Sequence, residues 1–265
     1  MEENLKSKEK ITWCPGCTNF FILNAFEKAL NELIKQGMKK EEFVYVSGIG
    51  CHGKIHDYLN ISSFNALHGR VLPVIFGIKI ANPKLKVIGF AGDGDVYNEG
   101  IEHLIHMAKY NIDCTYVIHD NQIFALTVGQ PTATTQKGLK SKSFKKVVQD
   151  TPLNPIKLML SLDTSFVARA YALEHEHLKD ILKKAIMHKG FSFVEVLQPC
   201  IVFNDTREFI GNRIYKLEEE NHDVNDFNQA WKKAEEWNYC YDDSRIPIGI
   251  FYIKQKETFE EKYLK

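Results

Sequence analysis

Apolar residues fall at helical spacing near the start of the chain, then give way to short, nearly unbroken apolar runs. Over residues 19–36, Phe20, Phe21, Leu23, Ala25, Phe26, Leu30, Leu33 and Ile34 follow a helical period, and Gly37 ends it. Four runs of strand type follow, at residues 43–47, 86–91, 113–119 and 191–197. They are continuous rather than alternating, which suits strands covered on both faces of a parallel sheet. Residues 99–110 lie between the second and third runs and carry Ile101, Leu104, Ile105 and Ala108 on one helical side. Residues 174–188 precede the last run and do the same with Leu178, Ile181, Leu182, Ala185 and Ile186. This alternation predicts an α/β fold with a doubly wound, mostly parallel sheet. In such sheets ligands sit beyond the carboxyl ends of the strands, so the loops after Ser47, Ala91, His119 and Leu197 are the ones to inspect.

The segments outside this pattern are read by contrast. The first dozen residues read as an exposed arm, and residues 128–145, rich in Thr, Gln, Gly and Lys, as a long surface loop. Periodicity weakens after Cys200. Residues 1–200 therefore read as one α/β domain and 201–265 as a C-terminal extension with short helices. The aromatic residues from Trp231 onward need something to dock on, either the domain itself or a partner.

Composition narrows the function class. With 265 residues, 44% hydrophobic and 26% charged, the chain can bury a core and is not a disordered polymer. Lys plus Arg and Asp plus Glu balance at 34 each, which is not the charge of a nucleic-acid or anionic-membrane surface. No run of about 18 uncharged apolar residues is present. The polar start, MEENLKSKEK, has no signal-peptide core, so a cytoplasmic location is expected. The six cysteines are then better read as thiols or metal ligands than as disulfides.

Two strand ends carry oxygen ligands. Gly92-Asp93-Gly94-Asp95 follows the second run directly. Glycines let a backbone approach a phosphate, and an aspartate among them can hold a magnesium ion bridging phosphate oxygens. Alone, the tetrapeptide reads equally well as a tight turn. Asn121, at the end of the next run, lies 28 residues after Asp93, about one strand–helix–strand unit. Adjacent parallel strands would place the two side by side, which is more specific than either residue alone. The pattern matches the thiamine diphosphate signature of Gly-Asp-Gly followed by Asn. The chain has no room for the second α/β domain whose glutamate meets the aminopyrimidine ring, so a partner would supply it.

The cysteines form a third constellation. Trp13-Cys14-Pro15-Gly16-Cys17 superficially resembles a thioredoxin motif, but the preceding Glu-Lys-Ile-Thr is too polar for a central strand. A lone C-x-x-C is open between zinc, an iron–sulfur cluster and redox chemistry. Cys51 and Cys200 each fall just past a strand end, on the face expected to hold the diphosphate. Four thiolates converging there suit a 4Fe–4S cluster. Cys114 and Cys240 read as small buried hydrophobes.

Taken together, the chain resembles the β subunits of the 2-oxoacid:ferredoxin oxidoreductases (pyruvate/2-oxoglutarate ferredoxin oxidoreductase family) over residues 11–200. The resemblance rests on Trp13–Cys17, Ser47-Gly-Ile-Gly-Cys51, Leu67-His-Gly-Arg70, the segment from Pro73 to Pro83, Gly92–Asp95, His119-Asp-Asn-Gln122, Phe166-Val-Ala-Arg169 and Gln198-Pro-Cys200. It implies oxidative decarboxylation of a 2-oxoacid with coenzyme A to acyl-CoA and CO2, with electrons passing through a 4Fe–4S cluster to ferredoxin. It implies thiamine diphosphate, Mg2+ and 4Fe–4S as cofactors. The implied partner is an α subunit, in some members with γ and δ, in an (αβ)2 or larger assembly. By carry-over, Cys14, Cys17, Cys51 and Cys200 hold the cluster, and Asp93, Asn121 and the Ile123 carbonyl hold magnesium. Thiamine diphosphate contacts fall on Ile49, Gly50, Cys51, His52, His68, Gly94, Asp95, Ala125 and Leu126. His52, Lys54 and His68 are candidates for meeting the substrate carboxylate or moving a proton.

The chain departs from the family pattern at Thr18, where Gly is usual, at Val128, where some members carry Lys, and in the acidic stretch from Asn98 to Glu102. Two other readings stay open. One is a non-oxidative thiamine diphosphate decarboxylase subunit, which has no need of four convergent cysteines. The other is a zinc-stabilised binding module, which leaves the Asp93–Asn121 spacing unexplained.

Overall fold

The computed structural model describes residues 5–140, 143 and 146–264. The chain runs α1 (Asn19–Lys35), β1 (Phe43–Ser47), β2 (Ser62–Asn65), α2 (Val71–Ala81), β3 (Lys86–Gly92), α3 (Ile101–Tyr110), β4 (Cys114–Asp120), β5 (Ile123–Phe124) and β6 (Gln130–Pro131). It continues with α4 (Pro155–Ser161), β7 (Phe166–Tyr171), α5 (His175–Met187), β8 (Phe191–Leu197), α6 (Arg207–Gly211), β9 (Ile214–Lys216), α7 (Phe227–Glu235), β10 (Ile246–Ile253) and α8 (Phe259–Tyr263). Eight strands form one sheet in the order β2-β1-β3-β4-β8-β7-β10-β9. Every neighbouring pair is parallel except β10 with β7. The fold is thus the expected α/β, mostly parallel sheet.

Both faces of the sheet are covered. On one face Leu23, Phe26 and Leu30 of α1 and Leu178, Ile181 and Leu182 of α5 pack against Tyr45, Phe90 and Val194. On the other, Ile75 of α2, Leu104 of α3, Met159 of α4 and Ala230 of α7 pack against Val87, Tyr116 and Phe193. That is why β4 and β8 are buried along their whole length and read as unbroken apolar runs. Fully burying a side chain such as Phe26 contributes about 1.5–3 kcal/mol.

The structure departs from the sequence reading in several places. The start is exposed at Lys8, Glu9 and Lys10 as expected, but it is anchored at its described beginning. Leu5 is fully buried, Lys6 bridges to Leu59, and the Asn60 N–H donates to the Leu5 carbonyl. The predicted helix at 99–110 begins at Ile101, after a π-type turn over Gly94–Asn98. The predicted surface loop at 128–145 carries β6 and buries Thr132, Thr134 and Thr135, while residues 141, 142, 144 and 145 lie outside the described residues. The segment beyond Cys200 supplies β9 and the buried β10 to the main sheet.

Of the late aromatic residues, Trp237, Tyr239, Phe251 and Tyr252 are buried in this chain's own core, while Tyr241 and Tyr263 are exposed. Trp237 and Tyr239 stack at 4.3 Å between ring centroids, and the Arg169 guanidinium lies 5.1 Å from the Trp237 ring. Arg169 and Glu195 form a fully buried ion pair at 2.7 Å, completed by the Tyr239 hydroxyl, which accepts from Arg169 at 2.8 Å and donates to Glu195. Among the described residues no helix is long and apolar enough to cross a membrane.

Candidate active site

β1, β3, β4 and β8 are parallel neighbours, so their carboxyl ends open on one rim of the sheet. The loops leaving that rim build two adjoining cavities. The first is open to solvent, spans about 440 Å³, and is lined by Ile49, Gly50, Cys51, His52, His68, Gly94, Asp95, Ala125 and Leu126 together with Asp93, Asn121 and Ile123. Every residue expected around a diphosphate and its metal therefore borders one space. Ile49 and Leu126 stand exposed at its mouth.

Asp93 is 1% exposed. Burial pushes its carboxyl up to about 7, against the pull of hydrogen bonds from Thr132 and from main-chain N–H groups. Thr132 Oγ1 donates to Asp93 Oδ2 at 2.5 Å, and Thr134 Oγ1 lies 3.3 Å from the same oxygen and 2.9 Å from Asp120 Oδ1. A carboxylate this deep is costly to ionise without a cation. On the neighbouring strand end, Asn121 Oδ1 accepts the Ile123 N–H at 3.1 Å, and Asn121 Nδ2 donates to Gln198 Oε1 at 3.2 Å. That turn fixes the amide with its oxygen beside the main chain of Ile123. A carboxylate, an amide oxygen and a main-chain carbonyl are hard donors of the kind magnesium takes.

Asp95 acts as a bracket. Its Oδ1 accepts the Gly69 N–H at 2.6 Å and lies 3.5 Å from His68 Nδ1, while its Oδ2 lies 3.2 Å from His52 Nε2. One buried carboxylate thus hydrogen-bonds His52 and lies beside His68 at the first cavity. The fit is tight: a Cβ on Gly48 would stand 1.7 Å from Asp95 Oδ2. His119, behind His52, is fully buried, and burial holds its imidazole well below the ordinary histidine range.

The second cavity, of about 750 Å³, shares Cys51, Asn121, Ala125 and Leu126 with the first. Cys14, Cys17, Cys51 and Cys200 all line it, with Trp13, Val128 and Phe203 among its apolar walls. Burial raises the Cys17 thiol, with smaller pushes from Cys200 and Cys14. Cys51 is pushed up to about 11 by burial and by the neighbouring Cys17 and Cys200, with Lys54 acting the other way. The four sulfurs therefore share one electrostatic neighbourhood. As they stand, no three His, Cys, Asp or Glu side chains among the described residues form a closed metal-holding group. Sulfur donors of this number suit zinc or an iron–sulfur cluster. Lys54 sits on this second cavity, not the first, and donates to the Thr12 carbonyl at 3.1 Å.

The roles of several residues that build the site escaped the sequence reading. Thr132 and Thr134 hold Asp93 from the supposed surface loop, and the only signal was the threonines at 132, 134 and 135. Thr18, a departure from the family pattern, has a role of its own. Its hydroxyl donates to the Pro199 carbonyl at 2.7 Å and accepts from Gln198 Nε2 at 2.6 Å, tying the Cys14–Cys17 segment to the Cys200 segment. Trp13 Nε1 donates to the Cys51 carbonyl at 2.6 Å and ties the same segment to the third cysteine loop.

Comparison with known proteins adds the following. Residues 48–196 match the C-terminal TPP-binding domain of thiamine pyrophosphate enzymes, and residues 200–265 match the C-terminal region of the pyruvate ferredoxin oxidoreductase beta subunit. The chain is 42% identical to subunit beta of 2-oxoacid:ferredoxin oxidoreductase 1 from Aeropyrum pernix, over 94% of this chain and 80% of that one. It is 37% identical to the 2-oxoglutarate oxidoreductase subunit KorB of Mycobacterium tuberculosis, over 77% of this chain and 54% of that one. Among solved structures, 2-oxoglutarate:ferredoxin oxidoreductase from Magnetococcus marinus, with 2-oxoglutarate, coenzyme A and succinyl-CoA bound, superposes with a TM-score of 0.92 at 31% identity, covering 98% of this chain and 87% of that one.

Proposed function

Because the chain belongs to the β subunits of the 2-oxoacid:ferredoxin oxidoreductases, we propose that it binds magnesium thiamine diphosphate in the first cavity and a 4Fe–4S cluster in the second. In this reading it supplies that half of the site for coenzyme A-dependent oxidative decarboxylation of a 2-oxoacid. The observation that carries the reading is the junction of the two cavities, one lined by a buried acid and an amide, the other by four thiols, through Cys51, Asn121, Ala125 and Leu126. When bound, the thiazolium would supply a sink for the electron pair that departing CO2 leaves behind, and the cluster an acceptor that takes those electrons one at a time.

The chain's own residues do the positioning. Asp93, Asn121 and the Ile123 carbonyl hold the magnesium and so neutralise the diphosphate. Cys14, Cys17, Cys51 and Cys200 hold the cluster beside it. Asp95 keeps His52 and His68 turned towards the first cavity, where they bind the cofactor and exchange protons with it. Lys54, on the cysteine side of the junction, is a cation for the substrate carboxylate. The cavity mouth at Ile49 and Leu126 is closed by the α subunit, which brings the glutamate for the aminopyrimidine ring. The working assembly is (αβ)2 or larger, it resides in the cytoplasm, and ferredoxin takes the electrons. The 2-oxoglutarate named for several relatives makes that acid the first substrate to try.

The test is anaerobic co-purification with the α subunit, followed by metal and cofactor analysis and coenzyme A-dependent dye reduction over a panel of 2-oxoacids. Iron with sulfide, bound thiamine diphosphate and dye reduction are expected. Zinc in place of iron would favour a structural metal module, and CO2 release without dye reduction a non-oxidative decarboxylase. Asp93→Ala is expected to abolish thiamine diphosphate retention while leaving iron nearly intact. Equal loss of both would mean that the two sites are not separable. The isolated chain is expected to be inactive, and robust turnover without a companion would overturn the shared site.

A further inference from the structure

Cys17 lies one residue before the N-cap of α1, and Asn19 is the first residue of that helix. Asn19 is fully buried, where an amide needs partners on both ends. Its Oδ1 pairs with His119 Nδ1 at 2.8 Å, yet its Nδ2 has no hydrogen-bond partner. Asn19 lines the second cavity together with Cys14, Cys17, Cys51 and Cys200, and Cys17 stands two residues before it, so the acceptor open to the unpartnered nitrogen is a cysteine sulfur. The orientation of the amide follows from donor chemistry. A metal-bound thiolate only accepts hydrogen bonds, so the amide nitrogen faces sulfur and the oxygen faces the N–H of His119.

We propose that Asn19 is a positioning residue for the group held by Cys17, donating its side-chain N–H to the Cys17 sulfur in an orientation fixed by His119, and so raising the reduction potential of that group. The inference rests on the reading of Cys17 as a cluster ligand. Reduction adds negative charge that is shared by the ligand sulfurs. A hydrogen bond to sulfur therefore stabilises the reduced form more than the oxidised one. The main-chain N–H of Asn19 is present whatever the side chain, so only the amide contribution changes on substitution. His119 also ties this contact to the other cavity. Its ring is 5.9 Å from the His52 ring, and His52 is held by Asp95. One buried line of side chains thus runs from the bracket of the first cavity to a sulfur of the second.

The experiment uses the complex with the α subunit, purified without oxygen, and reads the cluster midpoint potential by an electron-spin-resonance-monitored titration beside iron and sulfide content. Asn19→Leu removes the donor at similar volume. It is expected to shift the potential negative by about tenfold in the reduction equilibrium, ~59 mV for one electron, with iron retained. His119→Phe frees the amide and is expected to give a smaller shift of the same sign. His119→Asn keeps a donor near the Nδ1 position and is expected to hold the parental value. The double variant Asn19→Leu/His119→Phe is expected to shift no further than Asn19→Leu alone. An unchanged potential in Asn19→Leu at full iron content overturns the inference, as does an additive double variant. Should Asn19→Leu not fold, Asn19→Ser and His119→Phe carry the same comparison. Absence of iron and sulfide from the unmodified complex, or full iron retention in Cys17→Ala, overturns the cluster reading instead.

Discussion

At the scale of single residues, the site depends on a few buried polar atoms whose partners leave them no alternative position. Asp93 shows this best. Its carboxyl is raised to about 7 by burial, and the hydroxyls of Thr132 and Thr134 are what keep one of its oxygens oriented. A hydrogen bond to a charged group is worth about 1.5–3 kcal/mol. Thr132→Val keeps the shape and removes the stronger of the two bonds, so the affinity for magnesium thiamine diphosphate is expected to fall about ten- to hundredfold. Titration calorimetry with the purified complex measures it, and an unchanged affinity would show that Thr132 only fills space. Gly48 is a second such point. The Cβ of Gly48→Ala would overlap Asp95 Oδ2. Asp95 must then move, and His52 and His68 lose their common anchor. Gly48→Ala is expected to lose cofactor retention with little change in melting temperature, whereas retention at the parental level would mean the loop yields freely.

At the scale of elements, the late strand β10 carries more than its sequence suggests. It lies between β7 and β9, and Phe251 in its middle is fully buried. Phe251→Ala is expected to cost about 3–5 kcal/mol of stability, read as a lowered midpoint in denaturant. A cost below about 1 kcal/mol would mean that the strand is peripheral. This strand also shows where sequence reading stops. β1, β3, β4 and β8 were legible because covered parallel strands leave continuous apolar runs, and α1, α3 and α5 because each buries one face. β10 contains Pro247 and Gly249 and follows a polar stretch, so its run looked like part of a tail. α2 escaped for the opposite reason: it is apolar nearly all round, and no helical period stands out. β2 escaped because all four of its residues are exposed on the sheet edge. The Asp93–Asn121 pair, Cys51 and Cys200 could be placed on one rim because strand ends fix them, whereas Cys14 and Cys17 precede α1 and follow no strand. Thr132, Thr134, Thr18 and Asn19 could not be placed, because their roles depend on contacts between segments far apart in the chain.

At the scale of the whole molecule, the functional rim lies at one end of the sheet, and the opposite end is held by a separate buried polar cluster. There the Asn111 side-chain oxygen accepts the Phe191 N–H at 2.9 Å, and His188 Nε2 pairs with Ser165 Oγ at 3.0 Å. Ser165 donates to the Phe191 carbonyl at 3.1 Å, so the histidine nitrogen must be its donor. Burial lowers the His188 pKa, with Asp113 opposing and Lys86 adding to the effect. A histidine whose folded value lies below its unfolded one, about 6.5, binds a proton more readily when the chain is unfolded. Its contribution to stability is therefore complete above that value and is lost as pH falls through the lower, folded pKa. The melting temperature of the chain is expected to drop as pH is lowered from 7 towards 5. His188→Gln keeps a neutral donor for Ser165 and should flatten that part of the profile without changing the value at pH 7.5 by more than a few degrees. Calorimetric scans of both proteins at constant ionic strength make the comparison. Parallel profiles would show that the acid loss arises elsewhere, and a steeper one in the variant would reverse the assigned sign. Because the site lies at the far rim, the variant should bind thiamine diphosphate at pH 7.5 as the parent does, which separates a loss of stability from a loss of site.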